Sequence, residues 1–213
     1  MAKIATYRFF CAWLSRIIRP VKVLGNKKLK DERIIYCINH TSNWDFVVTL
    51  ESFKISPICL YKAEFRKSKF FRNFLDGLGY IPVNRGEVDL NVTKKSILTL
   101  KQGGSLLIAP EGTRNHLHDG SFLPFKEGAV SLAIKTKTPL LPIYIFHPRN
   151  KKDKIVGKSY IVVGEVLHLN QFYDKPLNKD ILQEANALLL EKFNNAKMQC
   201  DEYRATKSKR RNK

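Results

Sequence analysis

The chain has 213 residues, which is enough for one domain with a substantial core or for two small domains. Hydrophobic residues make up 44% and charged residues 27%, a balance that excludes an intrinsically disordered chain. The 38 basic residues against 19 acidic ones give a net charge of +19, so we expect an anionic partner: nucleic acid, lipid headgroups, phosphorylated metabolites or an acidic carrier protein.

The cysteines and the hydropathy pattern exclude further classes. Cys11, Cys37, Cys59 and Cys200 lie far apart and form no CxxC pair, which argues against a zinc site or a disulfide framework and favours a reduced, cytosolic setting. No stretch approaches the roughly 18 uninterrupted apolar residues of a membrane-spanning helix.

The first 24 residues have the pattern of an amphipathic helix that ends at Pro20. Its apolar half-wheel consists of Phe9, Phe10, Trp13, Leu14, Ile17 and Ile18. Arg16 and Arg19 argue against a secretory signal. The helix either packs on the domain or lies in a membrane interface with its arginines at lipid phosphates, and we favour the second interpretation. We therefore predict a membrane-associating segment over residues 1–24.

Short apolar strands alternate with helices along the rest of the chain. We predict strands at 34–38, 57–61, 80–83, 105–109, 140–146 and 161–166, and helices at 43–53, 64–76, 88–101, 126–136 and from 178 onward. This alternation predicts a single α/β domain over residues 25–203, with a largely parallel, mixed sheet flanked by helices. Residues 204–213 carry six basic residues and no acidic one, which predicts a disordered basic tail that attracts anions.

The first predicted strand leads directly into His40-Thr41-Ser42-Asn43-Trp44-Asp45. Active sites of parallel sheets collect at the carboxyl ends of the strands. Asp45 falls in the first helical turn, from which its carboxylate can reach one imidazole nitrogen of His40. Such a contact fixes the tautomer and raises the basicity of the other nitrogen. Taken alone, this short pattern is better explained by helix capping at Asp45 with His40 as a loop residue.

Arginines follow two later strands. Arg85 comes after the strand at 80–83, and Arg114 closes Glu111-Gly112-Thr113-Arg114 after the strand at 105–109. Two guanidiniums at the same edge of the sheet as His40 suit bidentate binding of a phosphate. Glu111 would accept from a substrate hydroxyl or hold an arginine in place. The alternatives are that both arginines are surface residues and that Glu111 forms an ordinary ion pair with Arg114.

Taken together, these blocks resemble those of the glycerolipid acyltransferases. The segment from His40 to Asp45 resembles their NHxxxxD block, and Glu111 to Arg114 resembles their E-G-T-R block. Residues 79–85 are similar to the arginine-bearing block between them, and residues 139–143 to the later proline-rich block. The order and spacing of the blocks are most similar to the bacterial 1-acylglycerol-3-phosphate acyltransferases.

The chain departs from that pattern at two positions. Ala109 stands where the family usually has an aromatic residue, and Asn84 stands where an aspartate is frequent. Neither change removes a catalytic group, but both leave the identity of the acceptor open.

The resemblance implies direct acyl transfer. His40, with Asp45 as its partner, would take the proton of an acceptor hydroxyl, which attacks the thioester of an acyl-CoA or an acyl-carrier protein. No covalent acyl-enzyme is expected, since a hydroxyl nucleophile would require a G-x-S-x-G turn that the sequence lacks. The expected product is phosphatidate, made from a lysophospholipid acceptor at an anionic membrane surface.

The resemblance also assigns binding roles. Arg85 and Arg114 would hold the phosphate of the acceptor, while Glu111, Gly112 and Thr113 shape the site. By analogy, Lys62 and the Gly112 backbone N–H, with Lys126 as a third candidate, would stabilise the oxyanion. The remaining histidines, His116, His118, His147 and His168, lack metal-ligand spacing, so no metal is expected. Neither a GxGxxG nor a P-loop pattern occurs, so no cofactor is expected.

Two alternatives remain open at the level of the sequence. The same chemistry would serve glycerol phosphate, another lysophospholipid or an acyl-amino-acid lipid. A non-catalytic nucleic-acid-binding protein would instead interleave basic and aromatic residues on one sheet face. We favour the enzyme, with no nucleic-acid partner, attached peripherally or monotopically to the cytoplasmic face of the cell membrane.

Overall fold

The computed structural model describes residues 20–26, 29, 33–53, 55–84 and 89–211. The amphipathic helix predicted before Pro20 lies outside these residues. The chain enters the described part with strand β1 (Val21–Leu24), which the sequence analysis did not predict. This strand has only four residues and none of them is fully buried, so its pattern is too weak to identify.

The other elements follow the predicted alternation. The strands are β2 (Ile35–Ile38), β3 (Ile58–Lys62), β4 (Ile81–Val83), β5 (Leu106–Ile108), β6 (Leu140–Phe146) and β7 (Ser159–Val163). The helices are α1 (Asp45–Phe53), α2 (Lys69–Gly77), α3 (Leu90–Lys101), α4 (Gly128–Thr136) and α5 (Lys179–Arg211), with short 3-10 helices at Ala63–Lys67 and Asn170–Phe172. Among the described residues, no helix is both long enough and apolar enough to cross a membrane.

The predicted disordered tail is helical through Arg211, where α5 ends. The helix is anchored to the domain upstream because the Arg204 guanidinium lies 3.5 Å above the centre of the Phe146 ring of β6. Within the helix, Arg204 also donates to Asp201 at 3.1 Å. Extending an existing helix costs far less than nucleating one, and the lysines and arginines that follow are good helix formers.

One sheet with strand order β1-β7-β6-β2-β5-β3-β4 forms the centre of the domain. Every neighbouring pair is parallel except β6 and β7, which confirms the predicted largely parallel, mixed sheet. Strands β6, β2, β5, β3 and β4 therefore end at one edge of the sheet, here called the site edge, while β7 and β1 begin there.

The sheet buries both of its faces. Along β2, Ile35 and Cys37 pack against residues of α4 and α5, while Tyr36 and Ile38 pack on the opposite face against Val48 of α1. Alternate side chains of a strand point to opposite faces, so a strand covered on both sides must be apolar throughout. This burial explains why β2 contains no charged residue.

Asn39 ties the end of β2 to β6. Its Nδ2 donates to the Ile145 carbonyl at 3.0 Å, and the Ile145 N–H donates back to Asn39 Oδ1 at 2.7 Å. The side chain is buried. Because His40 is the next residue, this pair of bonds determines where the chain leaves the sheet.

We expect Asn39→Ala to lower the free energy of unfolding by about 2–4 kcal/mol, because it leaves a buried N–H and a buried carbonyl without partners. Urea denaturation measures the change. Asn194→Ala, at an exposed position on α5, is the control and should leave the stability unchanged or slightly higher, since alanine is the better helix former. Equal stability of Asn39→Ala and wild type would contradict the anchoring role.

Candidate active site

The structure brings His40 and Asp45 together at the site edge. Asp45 Oδ2 lies 2.9 Å from His40 Nδ1 and accepts the backbone N–H groups of Thr41 at 2.8 Å and Ser42 at 2.7 Å. The carboxylate at the start of α1 therefore folds back over the turn that contains His40. Asp45 is fully buried, whereas the His40 side chain is 12% exposed.

The second imidazole nitrogen of His40 is available for chemistry. Within the part of the chain that the structure describes, His40 Nε2 has no hydrogen-bond partner, and the ring meets the Phe46 ring edge-on at 5.5 Å. Because Nδ1 faces a carboxylate, the neutral ring carries its proton on Nδ1. The lone pair of Nε2 is then free to accept a proton.

A second histidine, which the sequence analysis did not select, binds the same carboxylate. His147 Nε2 lies 2.6 Å from Asp45 Oδ1, and His147 Nδ1 lies 2.7 Å from Ser159 Oγ. Both His147 and Ser159 are buried. His147 directly follows β6, so the rule that identified His40, a polar residue just after a buried strand, would also have found it.

Asp45 is held in its ionised form. Burial raises the pKa of this carboxyl, but hydrogen bonds from His147 and His40, together with the charges of these rings, outweigh burial and bring the pKa below its ordinary value of 3.8. Asp45 is therefore a carboxylate at neutral pH, as the partner of a general base must be.

The loop after β5 holds the backbone of His40 from both sides. Glu111 Oε1 accepts the His40 N–H at 2.9 Å, and the Asn115 N–H donates to the His40 carbonyl at 2.7 Å. Glu111 Oε2 accepts the Leu123 N–H at 3.0 Å. Burial raises the pKa of Glu111, although the bonds from these two backbone N–H groups oppose the rise. Both carboxylate oxygens of Glu111 thus accept hydrogen bonds from backbone N–H groups, and the residue is only 2% exposed.

Gly112 occupies a position that favours glycine. Its φ is +65°, and a Cβ there would lie 2.8 Å from Lys126 Cδ and 2.9 Å from Lys126 Cε. The Gly112 N–H, predicted as an oxyanion donor, donates instead to the Ala109 carbonyl at 2.9 Å. The neighbouring Thr113 is exposed.

A basic cleft of about 440 Å³ opens beside the turn after His40. Arg114 lines it, with Nε 3.2 Å from His116 Nε2 and Nη1 donating to Asn43 Oδ1 at 3.2 Å. Arg149 donates to the Thr41 carbonyl at 3.0 Å. The remaining lining residues are Thr41, Ser42, Trp44, His118, Asp153, Lys154 and Ile155.

Lys62, another predicted cationic residue, lies on the opposite side of β5 from His40. Lys62 ends β3 at the site edge, and its Nζ lies 2.6 Å from Glu64 Oε2. Arg85 lies outside the described residues, so its predicted role stays a prediction. Among the described residues, no group of three His, Cys, Asp or Glu side chains is arranged to hold a metal ion.

Comparison with known proteins gives three consistent findings. The sequence profile described as "Acyltransferase" matches residues 20–146. The 1-acyl-sn-glycerol-3-phosphate acyltransferase of Bacillus subtilis is 30% identical over 84% of this chain and 92% of its own length. The enzyme of the same name from Pseudomonas aeruginosa is 28% identical over 77% of this chain and 69% of its own length.

The fold also matches a solved structure. The crystal structure of the 1-acyl-sn-glycerophosphate acyltransferase of Thermotoga maritima superposes with a TM-score of 0.67, covering 93% of this chain and 80% of that one. At 22% sequence identity, this likeness shows a shared fold.

Proposed function

The chain belongs to the acyltransferase family, and from this premise we propose that it transfers a fatty acyl group from a thioester to the free hydroxyl of 1-acylglycerol-3-phosphate. The product is phosphatidate. The names of the relatives support this acceptor. The observation that carries the proposal is the 2.9 Å contact between His40 Nδ1 and the buried Asp45 carboxylate, next to a basic cleft lined by the turn that follows His40.

His40 acts as the general base. Its Nε2 takes the proton of the acceptor hydroxyl while the oxygen attacks the thioester carbonyl, and Asp45 stabilises the imidazolium that forms. The tetrahedral intermediate then expels the thiolate, which receives the proton from His40 and leaves as a free thiol. The ester is released and the enzyme returns to its starting protonation state.

Two further roles, stabilising the oxyanion and holding His40 in place, fall to other residues of the site. Because the Gly112 N–H is engaged, Lys62 and Lys126 remain as candidates for stabilising the oxyanion. Lys62 would exchange its ion pair with Glu64 for the oxyanion. Glu111, whose oxygens bind main-chain N–H groups, holds His40 in place rather than contacting the substrate.

Arg114 supplies the anion site for the phosphate of the acceptor. It lines the cleft beside His40, where Arg149 and Lys154 add positive charge. A guanidinium with free donors suits a phosphate. Arg85 is expected to join it. The donor is an acyl-CoA or an acyl-carrier protein, both of which carry phosphate, and the acceptor alternatives named from the sequence would use the same cleft.

The nucleic-acid alternative finds less support. Within the described residues, buried apolar side chains and helices cover both faces of the central sheet, whereas a nucleic-acid-binding sheet would expose aromatic side chains for base stacking.

We also propose peripheral attachment to the cytoplasmic face of an anionic membrane. Residues 21–24 of the predicted segment form β1 of the central sheet, so residues 1–20 are the predicted main anchor. A second surface supports the proposal: Phe65, Phe70 and Phe71 are 49%, 66% and 47% exposed, and the basic residues Lys67, Lys69 and Arg72 on the same segment are exposed beside them. Exposed aromatic rings flanked by basic side chains suit a lipid interface.

We expect His40→Ala to reduce kcat for acyl transfer by about 10²- to 10⁴-fold, the usual contribution of a general base, without unfolding the protein. A thiol-release assay with an acyl-CoA and 1-acylglycerol-3-phosphate measures the loss, and circular dichroism checks the fold. The control is His168→Ala, an exposed histidine that follows β7 at the opposite edge of the sheet. Retained turnover in a folded His40→Ala enzyme would refute the general-base assignment.

We expect Arg114→Ala to raise the KM for 1-acylglycerol-3-phosphate by about 10- to 100-fold, because it removes charged hydrogen bonds worth about 1.5–3 kcal/mol. The KM for 1-monoacylglycerol, which has no phosphate, should not change. Lys135→Ala, an exposed charge loss on α4, is the matched control. An equal rise with both acceptors would show that Arg114 does not bind the phosphate.

We expect the protein to float with vesicles that contain phosphatidylglycerol and to remain behind with phosphatidylcholine alone, because the +19 charge attracts anionic headgroups. Removing residues 1–20 should abolish flotation. Undiminished flotation of the truncated protein would contradict the N-terminal anchor, and a Phe70→Ser, Phe71→Ser variant would then test the α2 surface.

A further inference from the structure

We propose that His147, itself held by Ser159, is a positioning residue that fixes the Asp45 carboxylate against His40 and so governs proton transfer at His40. The proposal rests on the function proposed for His40. Its basis is a continuous line of buried contacts: Ser159 Oγ to His147 Nδ1 at 2.7 Å, His147 Nε2 to Asp45 Oδ1 at 2.6 Å, and Asp45 Oδ2 to His40 Nδ1 at 2.9 Å.

The topology of the sheet brings these groups together. His147 directly follows β6, and Ser159 begins β7, which is the antiparallel neighbour of β6. Both residues therefore lie at the site edge, next to the end of β2 that delivers His40. Neither residue is solvent-exposed, so neither is placed to contact substrate. The two residues can act on the reaction only through Asp45.

The protons along this line have one consistent arrangement. A carboxylate only accepts hydrogen bonds, so His147 Nε2 carries a proton and donates it to Asp45 Oδ1. In the neutral ring, Nδ1 then accepts from the Ser159 hydroxyl. Asp45 Oδ2 has three donors of its own, from His40, Thr41 and Ser42. Among the described residues, His147 is the only donor to Oδ1.

Loss of that donor has two predicted consequences. The carboxylate is freed to turn about its Cβ–Cγ bond, which loosens the hold on the His40 ring. Its charge is also less compensated, so it attracts the proton of a protonated His40 more strongly, and the base is blocked up to a higher pH. A residue that merely filled space would produce neither effect.

The other charged groups around His40 have hydrogen-bond partners of their own, so we expect them to stay in place when His147 is changed. Glu111 accepts the His40 N–H, Arg149 donates to the Thr41 carbonyl, and Arg114 donates to the Asn43 side chain. His118 and Asp153 face Arg149 across the cleft. No hydrogen bond joins any of these five to the Asp45 carboxylate within the described part of the chain.

The test compares His147→Phe, which keeps a ring but no donor, with His147→Gln, whose amide nitrogen can replace Nε2. In His147→Phe we expect kcat to fall by about 10- to 100-fold, as when the group that orients a functional side chain is lost. The KM values of both substrates should change little. The acid limb of the kcat/KM profile should move to higher pH by roughly half a unit or more. His147→Gln should have a kcat and an acid limb close to those of wild type.

Thr49→Val is the matched control, since it removes a buried hydroxyl on α1 that binds the Asp45 backbone carbonyl rather than its carboxylate. It should leave the pH profile unchanged. A folded His147→Phe enzyme with the kcat and acid limb of wild type would overturn the proposal.

Proton NMR of the full-length protein provides a readout independent of activity and of the folding of His147→Phe. Two imidazole N–H protons bound to one carboxylate should resonate at low field, one lost in His40→Ala and the other in His147→Gln. A wild-type spectrum with only the His40 resonance would overturn the role of His147. An inactive wild-type enzyme that shows both resonances would instead refute the proposed function and leave the positioning contact standing.

Discussion

The structure of the site edge depends on the buried carboxylate of Asp45. An isolated charge without solvent costs many kcal/mol, so a buried carboxylate must be surrounded by donors. Asp45 has two imidazoles and two backbone N–H groups around it. These donors come from the turn after β2 and from the end of β6, so satisfying the charge requires that the two segments meet. Satisfying the buried charge therefore also brings together the residues of the proposed general base.

The backbone of His40 is fixed as firmly as its ring. Asn39 anchors the preceding position to β6, and Glu111 with Asn115 binds the N–H and the carbonyl of His40 itself. A general base contributes only when it is held within hydrogen-bond reach of the proton that it abstracts. The loop after β5 thus contributes twice: its buried Glu111 carboxylate holds the backbone of the proposed base, and Arg114 lines the cleft in which we propose that the phosphate binds.

Local signals in the sequence predicted the alternating α/β order, the largely parallel sheet and the contact between His40 and Asp45, because each depends on periodicity or on residues one turn apart. Features that depend on contacts between distant residues could not be predicted from local sequence patterns. The bond between His147 and Asp45 joins residues 102 positions apart, and the bond between the His40 N–H and Glu111 joins residues 71 positions apart. The short, half-exposed β1 has too weak a pattern to recognise. The N-terminal helix and Arg85 remain predictions, since they lie outside the described residues.

In the proposed mechanism, Asp45 holds the neutral His40 ring with its proton on Nδ1, which leaves Nε2 as the base. Nitrogen-15 chemical shifts of the imidazole, with His40 assigned from the loss of its signals in His40→Ala, test this most directly. We predict a protonated Nδ1 and an unprotonated Nε2 in the neutral His40 ring. A neutral His40 with its proton on Nε2 would contradict it, because that nitrogen would then have no lone pair to accept the proton of the acceptor.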